Sequence, residues 1–290
     1  MRNRRMPSIA LRLVLATLAA VALAGCSAAT IVNALVSVGQ LDIRNAVAYG
    51  DHPRQKLDVY VPRAAAPGPR PLVVFFYGGS WQTGERGQYL FVAEAIASLG
   101  AVVVVPDYRV YPEVVFPAFL DDAAMAVAWS RKHAGELGAD PDHVFLMGHS
   151  AGAHIAAMLA LDPQYLERVG ESPRRIAGVV GLAGPYDFLP LESENLRRIF
   201  APESTIARTQ PINFASAGAP PMLLATGTED TTVNPRNTAR LAARLKSLGV
   251  PVTEIRYAGL NHYTLVGYLA APLRDRETLF ADIARFLRER

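Results

Sequence analysis

The sequence predicts an α/β fold: a mostly parallel, doubly wound sheet flanked by helices, with a small cap insertion. Three observations carry this. Residues 72–76 and 101–105 are continuous apolar runs, as expected of parallel strands covered on both faces. Strand-like and helix-like stretches alternate along the chain, the pattern of crossover units around a parallel sheet. A length of 290 residues with 51% hydrophobic content suffices for one large core.

The elements follow in order. Residues 26–50 read as a tether and a lead-in before the fold. Leu57-Asp58-Val59-Tyr60-Val61 alternates and predicts a half-exposed strand. Residues 62–71, rich in Pro, Ala and Gly, predict a surface turn, and 72–76 a buried strand. Tyr89 to Leu99 has helical spacing closed by Gly100, and 101–105 is the next strand. Ala118 to His133 predicts a helix, Val144 to Met147 a strand and the Ala-rich run Ala151 to Leu161 a helix. Strands follow at 176–182, 221–225 and 252–257, and helices at 235–248 and 278–287, the first with Leu241, Leu245 and Leu248 on one face. Residues 183–219 are the least regular stretch, with several prolines and a short helical piece near 192–200; they read as a small cap shaping a pocket. The catalytic domain is expected at 51–290. No internal repeat or low-complexity run occurs.

Gly148-His149-Ser150-Ala151-Gly152 reads Gly-x-Ser-x-Gly between a predicted strand and a predicted helix. At such a corner the serine sits on a strained turn with its hydroxyl exposed, and the small flanking residues let strand and helix approach closely. Asp230 follows the strand-like run Met222-Leu223-Leu224-Ala225, and His262 follows the run ending at Tyr257. In a parallel sheet such loops gather at one edge, so the order Ser, Asp, His predicts a catalytic triad of Ser150, Asp230 and His262. The strand before Tyr77-Gly78-Gly79-Ser80-Trp81 ends in a Gly-Gly turn that leaves backbone N–H groups unpaired, donors suited to an oxyanion hole together with the N–H of Ala151. Glu229 is the alternative acid. His149 and His154 are poorly placed as bases, and His52, His133 and His143 are expected at the surface. Asp107, Arg109, Asp121 and Asp122 are expected to be structural.

On these motifs the chain from about Leu57 onward resembles α/β-hydrolases of the bacterial carboxylesterase and hormone-sensitive-lipase-like group. Tyr77-Gly78-Gly79-Ser80-Trp81 takes the place of that group's His-Gly-Gly-Gly-Trp, Asp107-Tyr108-Arg109 its Asp/Asn-Tyr-Arg segment, and residues 148–152 its nucleophile elbow. The spacing is also similar to isoprenylcysteine methylesterase-like and kynurenine formamidase-like branches. The resemblance implies oxyanion donors at Gly79, Ser80 and Ala151, with Gly78 and Trp81 supporting the loop. It implies a serine carboxylesterase acting on small to medium esters. Two departures from the pattern are Tyr77 for His and Ser80 for Gly. Alternative readings are an amide hydrolase, formamidase-like or peptidase, and a catalytically silent binding protein on the same fold. Trp81, Tyr77, Tyr186 and Phe188 are expected to line the pocket.

The leader is distinct. Arg2, Arg4, Arg5 and Arg12 carry positive charge, residues 1–25 hold no acid, and Leu13 to Ala24 is uninterrupted apolar sequence. Leu23-Ala24-Gly25-Cys26 resembles a lipobox, which implies a signal peptide over 1–25 and lipidation at Cys26, the chain's one cysteine. A competing reading is an uncleaved anchor, because no charge occurs from Leu13 through Leu41. Either places the domain outside the cytoplasm, on a membrane; Ser27 after the lipobox resembles outer-membrane lipoproteins. The formal charge of +3 is a leader effect, since removing its four arginines leaves 25 basic against 26 acidic residues. No basic stripe with interleaved aromatics suggests nucleic acid as a partner, and no metal-ligand spacing, dinucleotide loop or Walker loop suggests a cofactor.

Overall fold

The computed structural model describes residues 28–66 and 68–290. Residues 1–25 and Cys26, the expected signal peptide and lipidation site, lie outside the described residues. Eight strands form one sheet: β1 (Leu41–Ala48), β2 (Lys56–Pro62), β3 (Arg70–Phe76), β4 (Val102–Pro106), β5 (Ala139–His149), β6 (Ile176–Leu182), β7 (Met222–Gly227) and β8 (Val252–Tyr257), ordered β1-β2-β4-β3-β5-β6-β7-β8. The first two pair antiparallel and β4-β3-β5-β6-β7-β8 pair in parallel. The α-helices are α1 (Ala28–Asn33), α2 (Leu90–Ala97), α3 (Ala118–Lys132), α4 (Ala151–Leu161), α5 (Pro163–Arg168), α6 (Glu194–Ile199), α7 (Arg236–Ser247), α8 (His262–Gly267) and α9 (Leu279–Arg288).

The core forms where the apolar runs demanded it. Leu72 to Phe76 and Val102 to Val105 are inaccessible to solvent, because helices cover both faces of the central strands. Every residue of α4 is buried, which an Ala-rich helix permits by packing its backbone closely against β5 and β6. Along α7, Leu241 and Leu245 are buried while Leu248 is half-buried at the C-terminal cap.

Two expectations are corrected. The lead-in is part of the sheet, because residues 41–48 pair with β2 along its outer edge. Strand β2 is covered on both faces rather than alternating: Asp58 reads as a solvent-facing residue, yet it is buried on Arg86 and on the backbone N–H of Ala46. Of the uncharged stretch 13–41, residues 28–41 are described: they form α1 to Asn33 and lead into β1 at Leu41. Among the described residues, no helix is long and apolar enough to cross a membrane.

Within 183–219 the chain forms α6 and 3₁₀ turns at Glu203–Thr209 and Pro211–Phe214. This segment packs against Trp81 and His154 through Phe188 and Phe200 and is pinned to α7, where the Asn237 side-chain oxygen accepts from the N–H groups of Tyr186 and Asp187.

Candidate active site

Ser150 stands at the corner between β5 and α4 with φ 55° and ψ −123°, a left-handed conformation costly for a side-chain-bearing residue. Its N–H donates to the Leu182 carbonyl at 2.9 Å, which fixes the corner to β6. The turn is sterically possible because residue 152 is glycine: a Cβ there would lie 2.0 Å from the Phe76 carbonyl oxygen. The hydroxyl is thereby held above the sheet edge where the loops after β3, β7 and β8 meet.

His262 opens α8 and Asp230 lies in the loop after β7. Nδ1 of His262 is 2.8 Å from Oδ2 of Asp230, and Nε2 is 2.8 Å from the Ser150 hydroxyl oxygen. An ionised carboxylate can only accept, so Nδ1 carries the proton and Nε2 presents its lone pair to the Ser150 hydroxyl. The other oxygen of Asp230 accepts from the backbone N–H groups of Thr232 (2.9 Å) and Val233 (2.8 Å), which hold the carboxylate in place. The Asn261 side chain caps α8 and fixes the turn presenting His262. All three side chains are buried, whereas Glu229, the alternative acid, faces solvent. The structure therefore brings Ser150, Asp230 and His262 together.

The loop after β3 faces them. Gly79 has φ 133°, and Ser80 and Trp81 lie in the left-handed region at 53° and 57°. No acceptor among the described residues takes the N–H of Gly79, Ser80 or Ala151. A Cβ on Gly78 would lie 3.0 Å from Cβ of Ser150, so the loop runs directly against the hydroxyl-bearing corner.

Tyr77, which stands where the hormone-sensitive-lipase-like group that the sequence resembles has His, is the centre of a hydrogen-bond network. The Tyr77 hydroxyl donates to Oδ1 of Asp107 (2.8 Å) and accepts from Arg54 (3.0 Å). The Tyr108 hydroxyl donates to the Tyr77 carbonyl (2.7 Å), Arg54 reaches the Gly84 carbonyl (2.8 Å), and Arg86 bonds Asp107 through its backbone N–H and guanidinium. Arg109 is paired with Asp122 at 2.7 Å. Asp107 and Tyr108 thus brace the loop after β3, while Arg109 is held by Asp122. Burial is the main cause that raises the Tyr77 pKa well above its ordinary value, so the hydroxyl keeps its proton as a donor.

The two histidines near the elbow have other partners. The Nε2–H of His149 donates to the His262 carbonyl (3.0 Å), and the two rings lie 4.7 Å apart. Burial, reinforced by His262, lowers its pKa to about 3, so it adds no positive charge beside His262 near neutral pH. His154 bonds the Thr209 carbonyl (2.8 Å), tying the 183–219 segment to α4, and burial lowers its pKa to about 4. His52, His133 and His143 are half-buried rather than exposed; His52 pairs with Glu113, and His133 stacks on Trp129 at 4.1 Å.

Of the four aromatics expected to line a pocket, Trp81 and Phe188 do, stacked 5.9 Å apart beside Ser150. Tyr77 and Tyr186 do not: both are fully buried, Tyr77 because its hydroxyl belongs to the brace and Tyr186 because it packs on Gly181 and Gly184. Sequence reading missed Val32, Thr232 and Tyr263, which line the space in front of Ser150. Thr232 and Tyr263 flank Asp230 and His262 in the loops that carry the triad, so adjacency to those residues was the available signal; Val32 comes from α1, and no local motif marks it.

The BD-FAE family model matches residues 57–245, about two-thirds of the chain. This chain belongs to the BD-FAE family. It is 29% identical over 264 residues to isoprenylcysteine alpha-carbonyl methylesterase ICME of Arabidopsis thaliana, covering 83% of this chain and 61% of that protein. It is 30% identical over 260 residues to esterase LipC of Mycobacterium tuberculosis, covering 82% and 64%. The chain spans a little over 60% of the length of these curated relatives. Among solved structures it is similar to apo Thermogutta terrifontis esterase 2, with a TM-score of 0.71, 27% identity, and coverage of 88% of this chain and 96% of that one. The fold is that of the α/β-hydrolases.

Proposed function

We propose that this protein is a serine carboxylesterase that hydrolyses small to medium carboxylic esters through an acyl-enzyme. The observation that carries the reading is the unbroken relay from Asp230 through His262 to Ser150, with both contacts at 2.8 Å. Nε2 of His262 takes the hydroxyl proton as Oγ of Ser150 attacks the ester carbonyl carbon. Asp230 holds the imidazole in the Nδ1–H tautomer and stabilises the imidazolium. The N–H groups of Gly79, Ser80 and Ala151 stabilise the tetrahedral oxyanion, each donor contributing about 3 kcal/mol, or roughly 100-fold in rate. His262 returns the proton to the departing alkoxide, which leaves as the alcohol. Water, deprotonated by His262, then releases the acid and restores Ser150. The esterase names of the relatives and of the similar structures support the same chemistry.

The leader sequence supports attachment to a membrane through lipidated Cys26, with the catalytic domain outside the cytoplasm. A fluorophosphonate probe tests the enzymatic reading. Stoichiometric labelling that maps to Ser150 is expected. A folded protein that does not label there is a silent binding protein on this fold.

A further inference from the structure

Two cavities meet at Ser150. One, about 360 Å³, lies against Trp81, Phe188 and Leu196 and carries the Asp187–Arg240 ion pair on its wall. The other, about 710 Å³, reaches His149 and His262 and is walled by Val32, Tyr89, Phe91, Val266, Tyr268 and Leu273. Both fall in the range of about 300–1,000 Å³ that holds an organic group, but the larger offers about twice the room and a mainly apolar surface, whereas the smaller is as polar as it is apolar.

The geometry of the intermediate assigns these cavities. Of the groups on a tetrahedral carbon attached to Oγ of Ser150, the oxyanion faces the free N–H groups. The leaving oxygen must lie where Nε2 of His262 can protonate it. The acyl carbon takes the direction that remains. Of the two cavities, His262 lines the larger and not the smaller.

We infer, resting on the esterase reading above, that the larger cavity receives the alcohol part of the ester and the smaller the acyl part, and that Val32 determines specificity on the alcohol side. The substrate class is then an ester joining a short acyl group to a bulky apolar alcohol. Val32 belongs to α1, outside the residues 57–245 that the family model matches. It is fixed against the catalytic domain, because its neighbour Asn33 donates to the Gly87 carbonyl (2.8 Å) and accepts from the Phe91 N–H (3.1 Å). The segment expected as a tether is therefore also part of the substrate wall.

The test uses the full-length protein and reads kcat/KM for methyl butyrate, hexyl butyrate and methyl octanoate, with Ser150→Ala as control. Hexyl butyrate is expected to exceed methyl butyrate by about tenfold or more, as added methylenes enter an apolar cavity, while methyl octanoate falls below methyl butyrate. Val32→Trp, which fills the cavity wall, lowers the hexyl-to-methyl ratio about fivefold or more; Val32→Ala, with less contact area and a milder change, lowers it about twofold. A preference for the longer acyl chain, or a ratio unmoved by both variants, overturns the inference while Ser150-dependent turnover leaves the esterase reading standing. Absence of Ser150-dependent hydrolysis of all three esters overturns both.

Discussion

Replacing Tyr77 by Phe tests whether Tyr77 braces the loop after β3. The substitution removes one hydroxyl and keeps the ring, which stacks on Tyr108 at 4.8 Å and on Tyr89 at 5.6 Å. It deletes the bond to Asp107 and the bond from Arg54. A hydrogen bond to a charged group contributes about 1.5–3 kcal/mol. The low end applies, because Asp107 keeps two donors on Arg86 and Arg54 keeps the Gly84 and Tyr108 carbonyls, so neither charge is orphaned. Two such bonds at the low end sum to about 3 kcal/mol, which corresponds to a fall in Tm of about 6–12 °C for a domain of this size. The Tyr77 carbonyl remains held by Tyr108, so kcat for p-nitrophenyl butyrate falls less than about tenfold. Adding Tyr108→Phe frees that carbonyl, and the double variant is expected to lose more activity than the two single losses combined. Circular-dichroism melting and ester hydrolysis read these effects. A Tyr77→Phe protein that melts with the wild type, and a strictly additive double variant, would refute the brace.

The remaining predictions concern the site and its two buried histidines. Asp230→Asn removes the carboxylate that fixes the His262 tautomer, and kcat is expected to fall on the order of 10⁴-fold with the fold unchanged by circular dichroism. Ser80→Gly relieves a left-handed residue and is expected to stabilise the protein by about 1 kcal/mol, measured by urea unfolding; a destabilised variant would contradict the assigned backbone. His149 and His154 have folded pKa values lowered to about 3 and about 4 from 6.5, so between those values and 6.5 the unfolded chain binds more protons. Their stabilising contribution is complete above pH 6.5 and declines as the pH falls, by up to about 1.4 kcal/mol per pH unit for each histidine. Denaturant unfolding at about pH 7 and about pH 5 checks this, and equal stability at the two would count against neutral buried rings.

Local pattern made the catalytic half of the molecule readable. Residues 151–161, 176–182 and 252–257 form elements with the expected bounds, because the first is an Ala-rich run after the Gly-x-Ser-x-Gly corner, the second a continuous apolar run, and the third a β-branched and aromatic run between Pro251 and Gly259. The edge was less legible. Strand β1, Leu-Asp-Ile-Arg-Asn-Ala-Val-Ala, lacks a clean alternation and is mostly solvent-facing, so it exists through its pairing with β2 rather than through its own pattern. Asp58 disguised β2 as half-exposed, since an ion pair and a backbone donor satisfy its carboxylate inside the fold. Aromatics near a motif were poor guides to the pocket. Tyr77 and Trp81 are four residues apart, yet one is buried in a hydrogen-bond network and the other faces Ser150. Val32 could not be found from sequence, because its role depends on a contact between the first helix and residues 87–91.

The central claim is that Ser150 is the nucleophile of an ester hydrolase. Hydrolysis of p-nitrophenyl butyrate by the purified protein and by Ser150→Ala tests it most directly. The account predicts measurable turnover by the first and a loss of more than about 10⁴-fold in kcat by the second, with an unchanged melting profile. Turnover by Ser150→Ala at the wild-type rate would contradict it.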